Sequence, residues 1–130
     1  METYMADTHS LLWVFTRPQK LGEQARLAFN EVAAETAILL IPVIVMAELI
    51  FTIENKPVRA NLKEILTRLR RSSNVHFVDL SFETVALLPD LTAIPEMHDR
   101  LIVADAIRQK ATLITRDVSI SDSGLVNVIW

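Results

Sequence analysis

Segments with strand periodicity and segments with helix periodicity alternate along the whole of this 130-residue chain. The clearest strand is the run 37–41, Ala-Ile-Leu-Leu-Ile, which is apolar at every position, as in a strand buried on both faces. Shorter strand patterns end near Ala6 and cover 75–80, 112–115 and 126–130. This alternation predicts an α/β fold with a central, mostly parallel sheet and helices on both faces.

The predicted helices have apolar residues three or four positions apart and end at residues that cap or break helices. They are one that starts in 7–10 and is broken by 17–20, one over about 22–34, one from Pro42 that fades by 55–57, one over 58–71, one capped by Ser81 and one from Asp99 to Gln109. Residues 92–97 are expected to form a loop, and residues 119–124 a loop or a short helical turn.

The composition limits the class of protein. A chain with 51% hydrophobic residues and a net charge of -3 can bury a core, so we expect one compact domain over residues 1–130 and no extended disorder. The absence of cysteine excludes a disulfide, a thiol nucleophile and a cysteine zinc site. With two glycines, the chain has no glycine-rich phosphate loop.

The sequence also indicates where the protein acts. The N-terminus lacks the basic region and the cleavage site of a signal peptide. The longest apolar run, 37–47, is too short to span a bilayer and contains Pro42. We therefore expect a cytoplasmic protein with no membrane segment.

Four acidic residues occupy positions where a ligand site would form in such a fold. Asp7 and Asp117 follow predicted strands, Asp99 begins a predicted helix, and Glu48 lies in an early part of another. The carboxyl ends of the strands are where ligands bind in an open α/β sheet. Four carboxylates gathered there would repel one another unless a hard cation lay between them.

Each acid also has an ordinary structural interpretation. Asp7 and Asp99 are both suitable helix N-caps, a role that contributes roughly 1 kcal/mol, and Asp117 suits a turn. Glu48 is harder to explain, because its neighbours over 44–51 are almost all apolar and it needs a partner. That partner could be a cation or a buried arginine. The four acids together favour a site for Mg²⁺ or Mn²⁺ and metal-assisted phosphodiester hydrolysis.

The chain resembles PIN-domain proteins, and in particular the VapC-type toxins of toxin–antitoxin pairs, over essentially its whole length. The resemblance rests on Asp7-Thr8-His9 with Leu11-Leu12-Trp13, Lys20-Leu21, Ala47-Glu48, 80–91, His98-Asp99-Arg100-Leu101-Ile102-Val103-Ala104, Leu113-Ile114-Thr115-Arg116-Asp117 and 124–130. The segment around Asp99 is its most distinctive part.

This resemblance implies that Asp7, Glu48, Asp99 and Asp117 are the catalytic, metal-binding acids of an Mg²⁺- or Mn²⁺-dependent endoribonuclease. Water would attack in line and leave a 5′-phosphate and a 3′-hydroxyl. The implied partners are an RNA substrate, a VapB-like antitoxin that inserts a segment over the site, and a second copy in a homodimer. Supporting roles are implied for Thr8, through its hydroxyl, and for Arg100 and Arg116, which could contact a carboxylate, the phosphate or the antitoxin.

Two other functions remain open. The chain could be a catalytically silent PIN-like module that binds RNA or a protein partner. A receiver-type phosphoacceptor domain also gathers acids at strand ends, but it needs a lysine after a late strand, where this chain has Arg116-Asp117. The densest basic cluster, Arg68, Arg70 and Arg71, could hold an RNA backbone or be a solvated helix end. Asp105 lies six positions after Asp99, well round the helix, and is not expected to join the metal site.

Overall fold

The structure, a computed structural model, describes residues 1–130 and contains one five-stranded sheet. The strands are β1 (Glu2–Ala6), β2 (Ala37–Pro42), β3 (Val75–Val78), β4 (Thr112–Ile114) and β5 (Val128–Ile129). Their order in the sheet is β3-β2-β1-β4-β5, and all four neighbouring pairs are parallel. The predicted α/β fold is confirmed, with a sheet that is wholly rather than mostly parallel.

Seven α-helices surround the sheet. They are α1 (Thr8–Thr16), α2 (Glu23–Ala33), α3 (Val43–Asn55), α4 (Leu62–Arg71), α5 (Phe82–Val85), α6 (Met97–Gln109) and α7 (Val118–Ser123). Two short 3₁₀ turns, Pro18–Lys20 and Leu88–Asp90, each contain a proline that stops the preceding helical segment from continuing. None of these helices is long and apolar enough to cross a bilayer.

Two helix starts differ from the sequence prediction by two residues or more, and capping side chains explain both differences. The helix predicted over 58–71 begins only at Leu62, because the Asn61 side chain accepts a hydrogen bond from the Glu64 N–H at 3.0 Å. The helix predicted from Asp99 begins at Met97, with Glu96 as its cap. Residues 119–124 were predicted as a loop or a short helical turn, and the helical option is the one observed, as α7, which is capped at its start by Asp117.

The strand order places a crevice at a defined point of the sheet. After β1 the chain builds β2 and β3 on one side, and then returns to build β4 and β5 on the other. The direction of winding therefore reverses between β1 and β4, and a ligand crevice is expected outside their carboxyl ends. Fully buried side chains on both strands, Met5, Leu113 and Ile114, hold the floor of that crevice rigid.

Candidate active site

All four predicted acids line one cleft of about 410 Å³ at the carboxyl ends of β1 and β4. They reach it from four different elements of the chain: Asp7 between β1 and α1, Glu48 on α3, Asp99 on α6, and Asp117 before α7. The fold thus brings together residues that are up to 110 positions apart in sequence. The cleft is also lined by Thr8, His9, Leu12, Trp13, Thr52, Lys56, Ile102 and Arg116.

Asp7 is fixed in place by hydrogen bonds to β4 and to α1. Its N–H donates to the carbonyl of Ile114 on β4 at 3.3 Å, and its Oδ1 accepts from the Ser10 N–H at 2.9 Å. The predicted N-cap role is therefore confirmed. The cap uses one carboxylate oxygen, which leaves the other available to a ligand in the cleft.

Glu48 is half-buried, and its partner is a hydroxyl group. The Thr8 hydroxyl donates to Glu48 Oε1 at 2.8 Å, which joins the start of α1 to α3. The alternative of a buried arginine partner is wrong, because the only ion pair of the structure joins Glu96 and His98. The apolar neighbours of Glu48 suggested that it is buried and needs a charged partner. Those neighbours face other sides of α3, whereas Glu48 itself faces the open cleft.

Asp117 is held more tightly than the sequence suggested. Its Oδ1 accepts hydrogen bonds from the N–H of Ser119 at 2.8 Å, the hydroxyl of Ser119 at 2.6 Å and the N–H of Ile120 at 3.3 Å. Partial burial acts to raise the pKa of Asp117, but these hydrogen bonds to the charged form outweigh it and lower that pKa. Asp117 is therefore a preorganised carboxylate.

Asp99 has the opposite electrostatic environment. Burial raises the pKa of Asp99 to about 7, assisted by the negative charges of Asp117, Glu96 and Glu48. Its side chain does not cap α6, since Glu96 accepts from the Asp99 N–H at 2.8 Å, so the capping interpretation of Asp99 was wrong. The carboxyl group is left facing other acids, where either a proton or a cation would relieve the repulsion.

The predicted supporting residues have different positions. Thr8 contacts Glu48, as described above, and Arg116 lines the cleft with its guanidinium 4.6 Å from the centre of the Trp13 ring. Arg100 is not among the cleft residues; its Nε donates to the Ile94 carbonyl instead. Asp105 lies away from the cleft, buried and hydrogen-bonded to Thr84 at 2.9 Å.

Sequence reasoning missed several residues at or near this site. Lys56 and Thr52 line the cleft from the last turns of α3 and the residue after it, positions with no distinguishing pattern in the sequence. Ser119 and Glu96 act on Asp117 and Asp99 through hydrogen bonds and charge. Glu96 could have been found, because an acid three residues before Asp99 at a helix start is a capping pattern.

The donor atoms of the cleft suit a hard divalent cation. Carboxylate oxygens and a threonine hydroxyl are the type of ligand that Mg²⁺ and Mn²⁺ prefer. No three acidic or histidine side chains are gathered closely enough to form a complete metal cage. Mg²⁺ does not require such a cage, because it is often held by one or two carboxylates while water completes its shell. The residues present therefore fit a water-rich divalent site.

The model of the PIN domain family matches residues 4–123 of this chain, and the chain belongs to that family. The predicted family is thereby confirmed. PIN domains are in general metal-dependent nucleases. A comparison with curated proteins gave no match.

Several solved structures share the fold over nearly their whole length. One is VapBC2 from Rickettsia felis bound to a DNA fragment from its promoter, with a TM-score of 0.71, 19% identity and coverage of 98% of this chain and 97% of that one. Another is DNA-bound VapBC from Salmonella typhimurium, with a TM-score of 0.69, 16% identity and coverage of 99% and 98%. A third is FitAcB from Neisseria gonorrhoeae, with a TM-score of 0.65, 18% identity and coverage of 98% and 96%.

Proposed function

We propose that this protein is a metal-dependent endoribonuclease and the toxin of a VapBC-type toxin–antitoxin pair that acts in the cytoplasm. One observation carries the proposal. Four carboxylates from four separate elements line one cleft at the point where the winding of the sheet reverses, and burial together with the charges of Asp117, Glu96 and Glu48 raises the pKa of Asp99 to about 7. The repulsion among these carboxylates destabilises the folded protein unless a bound cation offsets it.

In this proposal Asp7, Glu48, Asp99 and Asp117 hold one or two Mg²⁺ or Mn²⁺ ions. A bound ion would supply Lewis-acid chemistry and charge neutralisation for attack of water on an RNA phosphodiester, with a 5′-phosphate and a 3′-hydroxyl as products. The chain itself supplies positioning. Backbone N–H groups fix one oxygen each of Asp7 and Asp117, and Thr8 fixes one oxygen of Glu48.

The charges of Asp99 and Arg116 indicate a role for each of these two cleft residues. Asp99 is the acid that burial and the neighbouring carboxylates keep partly protonated near neutral pH, so it would release a proton when a cation binds. The guanidinium of Arg116 lies on the cleft wall and is available to a phosphate oxygen. Its stacking on Trp13 restricts it to that wall.

The partners in this proposal are a VapB-like antitoxin and a second copy of the chain. Support for the antitoxin comes from the structural neighbours, which include the VapBC assemblies from Rickettsia felis and Salmonella typhimurium. Support for a homodimer comes from large apolar side chains left exposed along one segment, Phe77, Leu80, Phe82 and Val85. Phe82 is 80% exposed, which is unusual for a phenylalanine in a monomer.

The test is cleavage of a structured RNA pool by the purified protein in Mn²⁺, in Mg²⁺ and in EDTA. The Asp99→Asn variant should be inactive and fully folded, and Asp90→Asn, which changes an exposed aspartate outside the cleft, should be as active as the wild type. Full activity of Asp99→Asn would contradict the proposed site. Cleavage in EDTA would contradict the proposed metal dependence.

A catalytically silent PIN-like binding module is the second candidate, because the acids are not gathered into a complete metal cage. The two functions are separated by pairing the cleavage assay with the melting temperature. A module that binds metal without catalysis would melt at a higher temperature in Mn²⁺ and still leave every RNA intact.

A further inference from the structure

A second cleft opens directly beside the acidic one. It has a volume of about 560 Å³, and its charged lining consists of Arg17, Lys20, Lys56 and Arg59 without any acidic residue. We call this the basic groove. It shares Leu12, Trp13 and Lys56 with the acidic cleft, so the two form one continuous depression.

The cations of the basic groove have no carboxylate partners. All four are exposed, and the only ion pair of the structure, Glu96–His98, lies elsewhere. The Lys20 ammonium lies 5.2 Å from the centre of the Trp13 ring, a contact that leaves its charge uncompensated. In a chain with net charge -3, the fold concentrates unpaired positive charge here.

No local sequence pattern reveals this concentration. Arg17 and Lys20 follow α1, whereas Lys56 and Arg59 follow α3, and packing of α1 against α3 brings the two segments together. The denser sequence cluster at the end of α4 lies elsewhere. Its Arg68 packs 5.4 Å from the Phe15 ring and lines a mostly apolar pocket, and Arg70 and Arg71 line neither the acidic cleft nor the basic groove.

We propose that the basic groove binds the phosphates of the RNA strand that flank the scissile one, so that the substrate lies across both clefts. This proposal rests on the proposed nuclease function. An RNA strand that presents its scissile phosphate to the acidic cleft must place the flanking phosphates on the protein surface beside that cleft. The basic groove adjoins the acidic cleft and carries four cations without carboxylate partners. These positive charges complement the regularly spaced negative phosphates of an RNA strand.

The chemistry of the groove also defines the kind of recognition. Trp13 is buried, and its ring is already in contact with Arg116, Lys20, His9 and Trp130, so it has no free face on which a base could stack. The groove therefore contacts phosphates rather than bases. It sets the position of the strand and contributes affinity that depends strongly on salt and weakly on sequence.

The test is binding of a short fluorescein-labelled oligouridylate, followed by anisotropy over a range of KCl at constant Mg²⁺. The Asp99→Asn background prevents cleavage during the measurement. Arg17→Gln with Arg59→Gln removes two groove charges from exposed side chains, and Arg70→Gln with Arg71→Gln removes two charges at the end of α4 as the matched control. Circular dichroism checks that both variants are folded.

Loss of two single-strand phosphate contacts should make the slope of log K against log salt shallower by about 1.4, and weaken binding several-fold at low salt. The control should have the slope of the Asp99→Asn background. Equal slopes for the groove variant and the control would overturn the proposal, as would a lack of RNA binding by the background. If binding of a polyglutamate peptide depends on Arg17 and Arg59 and binding of RNA does not, the proposal is overturned in favour of an acidic protein segment as the ligand of the groove.

Failure of the groove proposal is distinguishable from failure of the nuclease proposal. If the protein with Asp99 intact cleaves RNA, and the groove variant cleaves and binds as well as the wild type, only the groove assignment is overturned. If no RNA is cleaved but the groove charges still determine the salt slope, the groove assignment is supported and the nuclease function is not.

Discussion

The Thr8 hydroxyl donates a hydrogen bond to Glu48 Oε1 at 2.8 Å across the floor of the acidic cleft. The contact joins the first residue of α1 to the sixth residue of α3, two helices whose starts follow different strands. It leaves the second oxygen of Glu48 available and limits the directions in which that oxygen can point. Thr8 is therefore a positioning residue for Glu48.

The Thr8→Val variant should keep the shape of the side chain and lose the hydrogen bond. If Glu48 is a metal ligand, this loss should lower Mn²⁺ affinity or RNA cleavage by about 10–100-fold, the usual effect of removing a group that orients a ligand. Isothermal titration with Mn²⁺ and a cleavage assay are the measurements. Thr8→Ser retains the hydroxyl and should restore most of the function. Loss of function in the serine variant with function retained in the valine variant would show that the methyl group, not the hydrogen bond, matters.

Asp117 combines a structural role with a proposed metal role, and two substitutions separate them. Asn caps helices as well as Asp does, so Asp117→Asn should leave α7 intact and lose the negative charge. Asp117→Ala should also lose the bonds to Ser119 and Ile120, which costs about 1 kcal/mol of unfolding free energy. We expect both variants to lose cleavage and only the alanine variant to lose stability in urea unfolding. Wild-type activity in Asp117→Asn would limit Asp117 to the cap.

The parallel sheet was predictable because buried parallel strands are apolar at every position and are separated by helical patterns. The run 37–41 shows this directly, and it becomes β2. The helix starts were less predictable, because several polar residues compete for each cap. Glu96 caps α6 instead of Asp99, and Asn61 delays α4 until Leu62, although the apolar pattern alone would allow a start at Val58.

The grouping of the acids was predictable from the same fold, because residues that follow parallel strands meet at one edge of the sheet. Their partners were not. The hydrogen bond between Thr8 and Glu48 spans 40 positions, and the basic groove combines 17–20 with 56–59. These contacts depend on how α1 packs against α3, and a single sequence carries no local signal for a helix-packing geometry.

Glycine is required at position 22 because there is no room for a side chain, not because of the backbone angles. Its φ of -65° is available to any residue, but a Cβ atom there would overlap the main chain of Trp130. We expect Gly22→Ala to lower the free energy of unfolding by about 1–3 kcal/mol, as overpacking of a close contact does. Urea unfolding is the measurement. In a chain that lacks Trp130 the same substitution should cost much less, and an unchanged cost would contradict the proposed clash.

Asp105 is a buried acid that holds α5 against α6. Its Oδ1 accepts from the Thr84 hydroxyl at 2.9 Å, and Arg108 donates to the same hydroxyl at 3.1 Å. Burial raises the pKa of Asp105 in the folded protein, although the Thr84 hydrogen bond and the Arg108 charge act to lower it. The charged form of Asp105 is therefore less favourable in the folded state than in the unfolded chain.

This raised pKa gives the stability a definite pH dependence. The folded state retains the Asp105 proton more strongly than the unfolded chain, whose aspartates titrate at about 3.9. The contribution of Asp105 is thus fully present below about pH 4 and is lost as pH rises through the folded pKa. Asp105→Asn cannot ionise, so its stability relative to the wild type should increase from pH 4 to pH 8 in metal-free urea unfolding. The exposed Asp90→Asn variant should follow the wild-type profile, and a parallel profile for Asp105→Asn would show that Asp105 folds with its charge compensated.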